Sequence, residues 1–148
     1  MKKLILVAMM SGFALSAHAE CKITSVRSDE IGAIFKKYGG WTFSEEKFNQ
    51  LCAKLKSARA RIQIAGMASV LNNNSIGWAS LSVLDFDTGV ASTDFNSMST
   101  QVNGFASQDK ANELMVAAIN SAAEDWNGID KALASLQEQR KKARANLK

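Results

Sequence analysis

The spacing of apolar residues changes near Ala60, and this change limits the possible folds more than any other feature of the chain. Before Ala60 the apolar side chains recur every three or four residues, as on one face of a helix: Phe48, Leu51, Cys52, Leu55 and Ala58. After it they alternate with polar ones, as in a half-buried strand: Ile62, Ile64, Ala68 and Val70 against Arg61, Gln63, Met67 and Ser69. Helices followed by strands in separate segments predict an α+β domain in which helices cover one face of a sheet.

Two short helices are predicted before the change. Ser28-Asp29-Glu30 has the composition of a helix start, and Gly39-Gly40 that of a stop, so a helix is expected over about 28–38. Ser44 followed by Glu45-Glu46 opens a second helix. Its apolar face contains Cys52, which is therefore expected to point inward. The helix is expected to end near Ala60, and an alanine-rich helix that runs on to Gly66 is the alternative.

Three strands are predicted after the change, at about 61–71, 76–86 and 90–102. Asn72-Asn73-Asn74-Ser75 and Asp87-Thr88-Gly89 are turn signals between them, which favours an antiparallel β-meander. The third strand is rich in Ser, Thr and Asn and is expected at an edge or facing solvent.

A long amphipathic helix is predicted from Ser107 to about residue 146. Its apolar seam recurs at alternating spacings of four and three residues: Met115, Ile119, Ala122, Trp126, Ile129, Leu133 and Leu136. A kink or break at Gly128 is the alternative to one straight helix. The apolar seam keeps its spacing across Gly128, which favours a continuous helix. The predicted fold class is thus α+β, with two N-terminal helices, a three-stranded antiparallel β-meander and a long C-terminal amphipathic helix in one domain, 20–148.

Residues 1–19 are predicted to be a secretory signal peptide. Lys2 and Lys3 precede an apolar run from Leu4 to Leu15, and Ala17-His18-Ala19 is typical of a cleavage site. The run is shorter than the roughly 20 residues that span a bilayer. The pattern predicts a periplasmic or secreted protein of a Gram-negative bacterium, without a transmembrane segment.

Cys21 and Cys52 are the two cysteines of the chain. In an oxidising compartment they are expected to form a disulfide. The spacing is not that of a Cys-x-x-Cys redox motif, and two sulfur ligands without histidine are a weak basis for a zinc site.

The sequence contains few residues that could act together in catalysis. The one histidine, His18, lies in the predicted signal, so Ser-His and Cys-His nucleophile pairs are not expected, nor are cofactors or metal sites. Asp85 and Asp87 are a candidate carboxylate pair for hydrolysis, but Asp85 to Gly89 is also typical of a strand that enters a tight turn. The chain is therefore predicted not to be an enzyme.

The segment Lys131–Lys148 holds six basic side chains and one acidic side chain, in a chain of net charge +4. Cations at a helix C-terminus complement its dipole, but they also attract anionic partners. A continuous helix over 107–146 would be roughly 60 Å long, which exceeds the diameter of a domain of this size, so its end must project, bend or bind a partner. The residues predicted to bind a partner are Trp126, Leu133, Leu136, Arg140, Lys141, Arg144 and Leu147.

These features predict an exported, non-enzymatic protein that binds another macromolecule, for example as an inhibitor or immunity-type protein, or that associates with itself through its last helix. Core packing against the sheet is the other role open to the apolar seam, and it is the more frequent one, because the sheet must be covered. A second functional hypothesis is an envelope-surface module whose basic helix binds anionic lipid or lipopolysaccharide. Nucleic acid is not an expected partner, because aromatic residues do not alternate with the basic ones.

Overall fold

The computed structural model describes residues 21–146, and it confirms the predicted α+β class. The elements are β1 (Ser25–Val26), α1 (Asp29–Lys37), α2 (Glu45–Ser57), β2 (Ala60–Leu71), β3 (Asn74–Asp85), β4 (Ser97–Asn103), α3 (Gln108–Glu124) and α4 (Ile129–Ala145). The four strands form one sheet in the order β1-β2-β3-β4. The predicted signal peptide and Leu147 lie outside the described residues.

The first two helices begin and end close to where the sequence predicts. The Ser28 hydroxyl accepts a hydrogen bond from the Ile31 backbone N–H at 3.3 Å, and the Ser44 hydroxyl accepts one from the Lys47 N–H at 3.4 Å. Each hydroxyl therefore caps free N–H groups in the first turn of its helix.

The β2–β3 hairpin and the antiparallel β4 beside it form the predicted meander. Asn72 and Asn73 connect the hairpin with φ of 47° and 61°, the left-handed conformation that a two-residue hairpin turn favours and that asparagine tolerates. Strand β4 lies at the edge of the sheet, as predicted.

Two details of the sheet differ from the prediction. The third strand of the meander begins at Ser97 rather than near residue 90, because residues 90–96 leave the sheet after a single bridge between Ala91 and Leu84. A two-residue strand, β1, also pairs parallel to β2, which makes the sheet four-stranded and mixed. Such short parallel pairing carries no alternating pattern that a sequence could reveal.

The prediction of one continuous C-terminal helix is wrong. Helix α3 ends at Glu124 and α4 begins at Ile129, and each has 17 residues, about 26 Å of helix. At the break the Trp126 indole is fully buried and donates to the Phe95 carbonyl at 2.9 Å. The apolar residues of α3 and α4 keep one spacing because both helices pack against the same core. The excess length that argued for a projecting end is therefore absent from the described chain.

The core lies between the inner face of the sheet and the four helices. It contains Phe35, Leu51, Leu55, Ile62, Ile64, Leu81, Val83, Ile119, Trp126 and Leu136. Helix α3 crosses the sheet directly over Gly77, where an added Cβ would lie 2.6 Å from the Leu114 carbonyl oxygen and closer still to neighbouring backbone atoms. Only glycine allows this approach of helix and strand.

The predicted disulfide is confirmed. Cys21 and Cys52 are bonded, with 6.0 Å between their Cα atoms. The bond ties the start of the described chain to the buried face of α2, next to the point where β1 joins the sheet.

Candidate functional site

The apolar residues proposed for partner binding on the last helix lie mostly in the core. Trp126 and Leu136 are 1% and 0% exposed, and the partly buried Leu133 packs against the same core cluster. Their seam covers the domain's own interior, which is the core-packing alternative that the sequence left open. These side chains do not form a shared surface with the basic residues that follow.

Arg140 is held within the domain. Its Nε donates to Asp85 Oδ2 at 2.6 Å, and its Nη2 donates to the carbonyls of Ala58 and Arg59 at 3.0 and 2.9 Å. The Arg140 and Asp85 side chains are 13% and 7% exposed. The guanidinium thus fastens α4 to the α2–β2 junction and to the end of β3.

Asp85 caps the turn that follows β3. Its Oδ1 accepts hydrogen bonds from the backbone N–H groups of Asp87 and Thr88 at 3.1 and 2.6 Å and from the Thr88 hydroxyl at 2.6 Å. Burial raises the pKa of Asp85, but the bonds from Thr88 and Arg140 outweigh it and lower this pKa from 3.8 to about 2. The carboxylate is therefore ionised at neutral pH.

Asp87, the other member of the candidate carboxylate pair, lies in the turn and not on the strand. It forms an exposed ion pair with Arg59, whose Nη2 is 2.8 Å from Asp87 Oδ1. Both carboxylates thus have partners within the domain, and Gly89 completes the turn with φ of 73°, as the turn interpretation predicts.

The remaining basic residues of the predicted site are exposed. Lys141 pairs with Glu138 at 2.7 Å on the same helix, and Lys142 and Arg144 extend into solvent beyond it. With Arg140 engaged elsewhere, the basic cluster of α4 is smaller at its surface than the sequence indicates.

The outer face of the sheet carries no predicted site residue, and no helix covers it among residues 21–146. The inward side chains of β2 and β3 are buried under the helices, whereas the alternate ones face away. We call the outward residues of the three long strands the open sheet face. It consists of Arg61, Gln63, Ala65, Met67, Ser69 and Leu71 on β2, Ile76, Trp78, Ser80 and Ser82 on β3, and Met98, Thr100 and Val102 on β4.

The centre of the open sheet face is apolar. Met67 is opposite Trp78 in the strand register, and Ile76 is opposite Val102. Met67 and Val102 are 56% and 61% exposed, although each belongs to a residue type that is usually buried. The strand register makes these side chains neighbours, so the apolar residues form one patch and are not scattered singly over the surface.

Charge is almost absent from this face. Arg61, at one end, is its single charged residue, and its guanidinium lies over the exposed Phe86 ring at 5.6 Å. The Arg61 Nε is buried without a hydrogen-bond partner among the described residues. The other polar residues of the face are uncharged: Gln63, Ser69, Ser80, Ser82 and Thr100.

One signal in the sequence points to this face. Ile62 and Ile64 show which alternate residues of β2 point toward the core. In a sheet with one solvated side, the residues between them should be polar. Met67, Trp78, Met98 and Val102 occupy the opposite phase of their strands and are apolar. The register that brings them together is a tertiary property.

Within residues 21–146, no group of three or more histidine, cysteine, aspartate and glutamate side chains is arranged to hold a metal ion. None of the helices in that range has the length and apolar character needed to cross a membrane.

No protein-family model matches the sequence, and no curated protein matches it significantly. Among solved structures the chain is similar to that of "a putative lipoprotein from Caulobacter crescentus CB15". The match has 13% identity and a TM-score of 0.35, and it covers 81% of this chain and 90% of the other. Similarity at this level carries no information about function.

Proposed function

We propose that this chain is an exported, non-enzymatic binding protein that holds another protein on its open sheet face. The observation that carries the proposal is a patch of apolar side chains across three strands, with Met67 opposite the partly exposed Trp78 at its centre and the exposed Met98 and Val102 on the edge strand. Burial of such side chains against a partner is favourable in proportion to the apolar area removed from water.

The composition of the face indicates the chemistry of the partner. Tryptophan, methionine and arginine are enriched at protein interfaces, and methionine adapts to partners of different shape. Because Arg61 is the single charge, an acidic or basic partner surface would lose water without gaining ion pairs. The expected partner therefore presents an uncharged apolar patch, bordered by groups that bond to hydroxyls such as those of Ser80 and Thr100.

The disulfide supports the exported location. Cys21 and Cys52 are bonded, and disulfides persist in the periplasm and outside the cell. The predicted signal peptide at 1–19 agrees with this location, so we propose that the partner is found in the same compartment.

The experiment is affinity capture from an envelope extract, with wild-type protein beside Met67→Lys and Val102→Lys. Both positions are exposed, so both variants should fold while a lysine interrupts the apolar face. Gln137→Lys, which adds the same charge on an exposed part of α4, is the matched control. We expect a specific protein that wild type and Gln137→Lys retain at both low and moderate salt and that the two face variants lose.

The captured protein is then purified, and its affinity for each variant is measured directly. A dissociation constant at least about tenfold higher for Met67→Lys than for Gln137→Lys supports the proposal. Equal affinities for the two variants would refute it.

The lipid hypothesis is tested with the same proteins and vesicles of anionic phospholipid. Lys141, Lys142 and Arg144 are exposed on α4, and binding through them should fall steeply with salt. Vesicle binding that Lys142→Gln/Arg144→Gln abolishes, with no protein captured by the sheet face, would favour that hypothesis over ours.

A further inference from the structure

The outer edge of β4 is an unoccupied pairing surface. Strand β4 is the last in the sheet order, and the hydrogen bonds of the described residues join the backbone of 98–102 to β3 alone. Edge strands in monomeric proteins are usually protected by charged residues, proline or a bulge. The segment Ser97–Asn103 contains neither a charged residue nor a proline.

The opposite edge of the sheet is partly occupied. Strand β1 pairs with β2 at Ile62 and Gln63, and the Gln108 side chain donates to the Ala68 carbonyl at 3.3 Å. Residues 64–71 of β2 have no strand partner on this side among the described residues either, so the choice of β4 rests on its sequence.

The sequence of β4 is complementary to itself when two copies run antiparallel about Thr100. Met98 then lies opposite Val102 of a second copy, and Thr100 opposite Thr100, all on the open sheet face. Ser97 lies opposite Asn103, and Ser99 opposite Gln101, on the face toward the helices. Apolar residues meet apolar ones and polar residues meet polar ones, and opposed threonines are a favourable cross-strand pair.

The position of α3 leaves room for this pairing. Helix α3 lies over β3 at Gly77, and its side reaches β4, where the Ser97 hydroxyl donates to the Ala122 carbonyl at 2.7 Å and Gln101 Nε2 donates to the Ser121 hydroxyl at 3.3 Å. In the joined sheet the two β3 strands are three strand spacings apart, about 14 Å. A helix with its side chains is about 10–12 Å across, so the two α3 helices would lie side by side without overlap.

We propose that two copies of this chain join their β4 strands antiparallel about Thr100 and form one continuous sheet. The symmetry axis is perpendicular to the sheet, so the open sheet faces of both copies lie on the same side and become one surface. That the joined surface binds a partner protein rests on the proposed function. One face, three strands wide, offers a footprint of roughly 400 Å², about half of what a standard interface takes from each partner. The joined faces supply the full area.

The test is sedimentation equilibrium of the purified protein, wild type beside Thr100→Lys and Thr100→Glu. Thr100 is exposed, so both variants should fold. Circular dichroism and urea unfolding of each variant are the check. Wild type is expected to be a dimer, and each variant should raise the dimer dissociation constant at least about tenfold, because like charges meet on the axis. A mixture of the two variants should recover a one-to-one heterodimer. Gln137→Lys and Gln137→Glu are the matched controls and should dimerise like wild type.

The failures of the two proposals are distinguishable. If wild type is monomeric at high concentration, or if the Lys and Glu variants do not recover a heterodimer, the β4 pairing is refuted whatever the capture experiment finds. If Met67→Lys disrupts the dimer and Thr100→Lys does not, the copies pack face to face, which also refutes it. A wild-type dimer that captures no partner supports the pairing and counts against the proposed function alone.

Discussion

Replacement of Arg140 distinguishes a structural from a partner-binding role for this residue. The sequence places it in a basic surface, but the structure places it in a nearly buried ion pair with Asp85. Arg140→Met keeps the apolar stem and removes the guanidinium. The Asp85 carboxylate would then remain buried without its cation, and the carbonyls of Ala58 and Arg59 would lose a donor.

The burial and the remaining hydrogen bonds of Asp85 determine how much stability Arg140→Met should lose. Removing one partner of a buried ion pair costs about 3–5 kcal/mol. Asp85 keeps its bonds from Asp87 and Thr88, so we expect the low end of that range, a loss of about 3 kcal/mol in the free energy of unfolding. Asp85→Asn preserves the shape of the turn and should cost about 1–2 kcal/mol. In the double variant no buried charge is left alone, so its loss should be smaller than the sum by about 1–2 kcal/mol.

Urea unfolding at neutral pH measures all three variants. Lys142→Met is the matched control, because Lys142 is exposed on the same helix, and it should change stability by no more than about 0.5 kcal/mol. A structural ion pair between Arg140 and Asp85 is refuted if Arg140→Met resembles this control, or if the losses of the single variants add up to that of the double variant.

Three further predictions concern stability. Gly77→Ala should lower the free energy of unfolding by about 3 kcal/mol or more, because the new methyl group meets the α3 backbone; a loss under about 1 kcal/mol in urea unfolding would contradict the close approach. Reduction of the Cys21–Cys52 bond, which closes a loop of 31 residues, should cost about 3–4 kcal/mol, measured by unfolding with and without dithiothreitol, and unchanged stability would contradict it. Because the pKa of Asp85 is about 2 in the folded protein and 3.8 ordinarily, its contribution of about 2 kcal/mol is present above about pH 5 and is lost as the pH falls toward 2. Asp85→Asn should remove this part of the acid dependence, and an unchanged difference from wild type between pH 5 and pH 2 would contradict the assignment.

The sequence by itself determined the local features of the fold. Capping residues fixed the starts of α1 and α2, the period change located the end of α2 and the start of β2, and Asn72-Asn73 fixed the hairpin turn. Two cysteines in a chain with a predicted export signal were sufficient to predict the disulfide. The helix, strand and turn signals each act over a few residues, and two cysteines allow only one pairing. These features can therefore be predicted without knowledge of the packing.

The tertiary structure decided what the sequence left ambiguous. An apolar seam in constant phase fits one helix or two that face the same core. The structure has two, and Trp126 is buried between them with its indole N–H bonded to the Phe95 carbonyl. A basic residue near the C-terminus is equally compatible with solvent and with a buried carboxylate, and Arg140 has the second environment because the chain returns Asp85 to it across 55 positions. The open sheet face likewise depends on register, since only strand pairing makes neighbours of Met67, Trp78 and Val102. Local pattern specifies elements, whereas contacts between distant segments specify which residues are buried and which remain available to a partner.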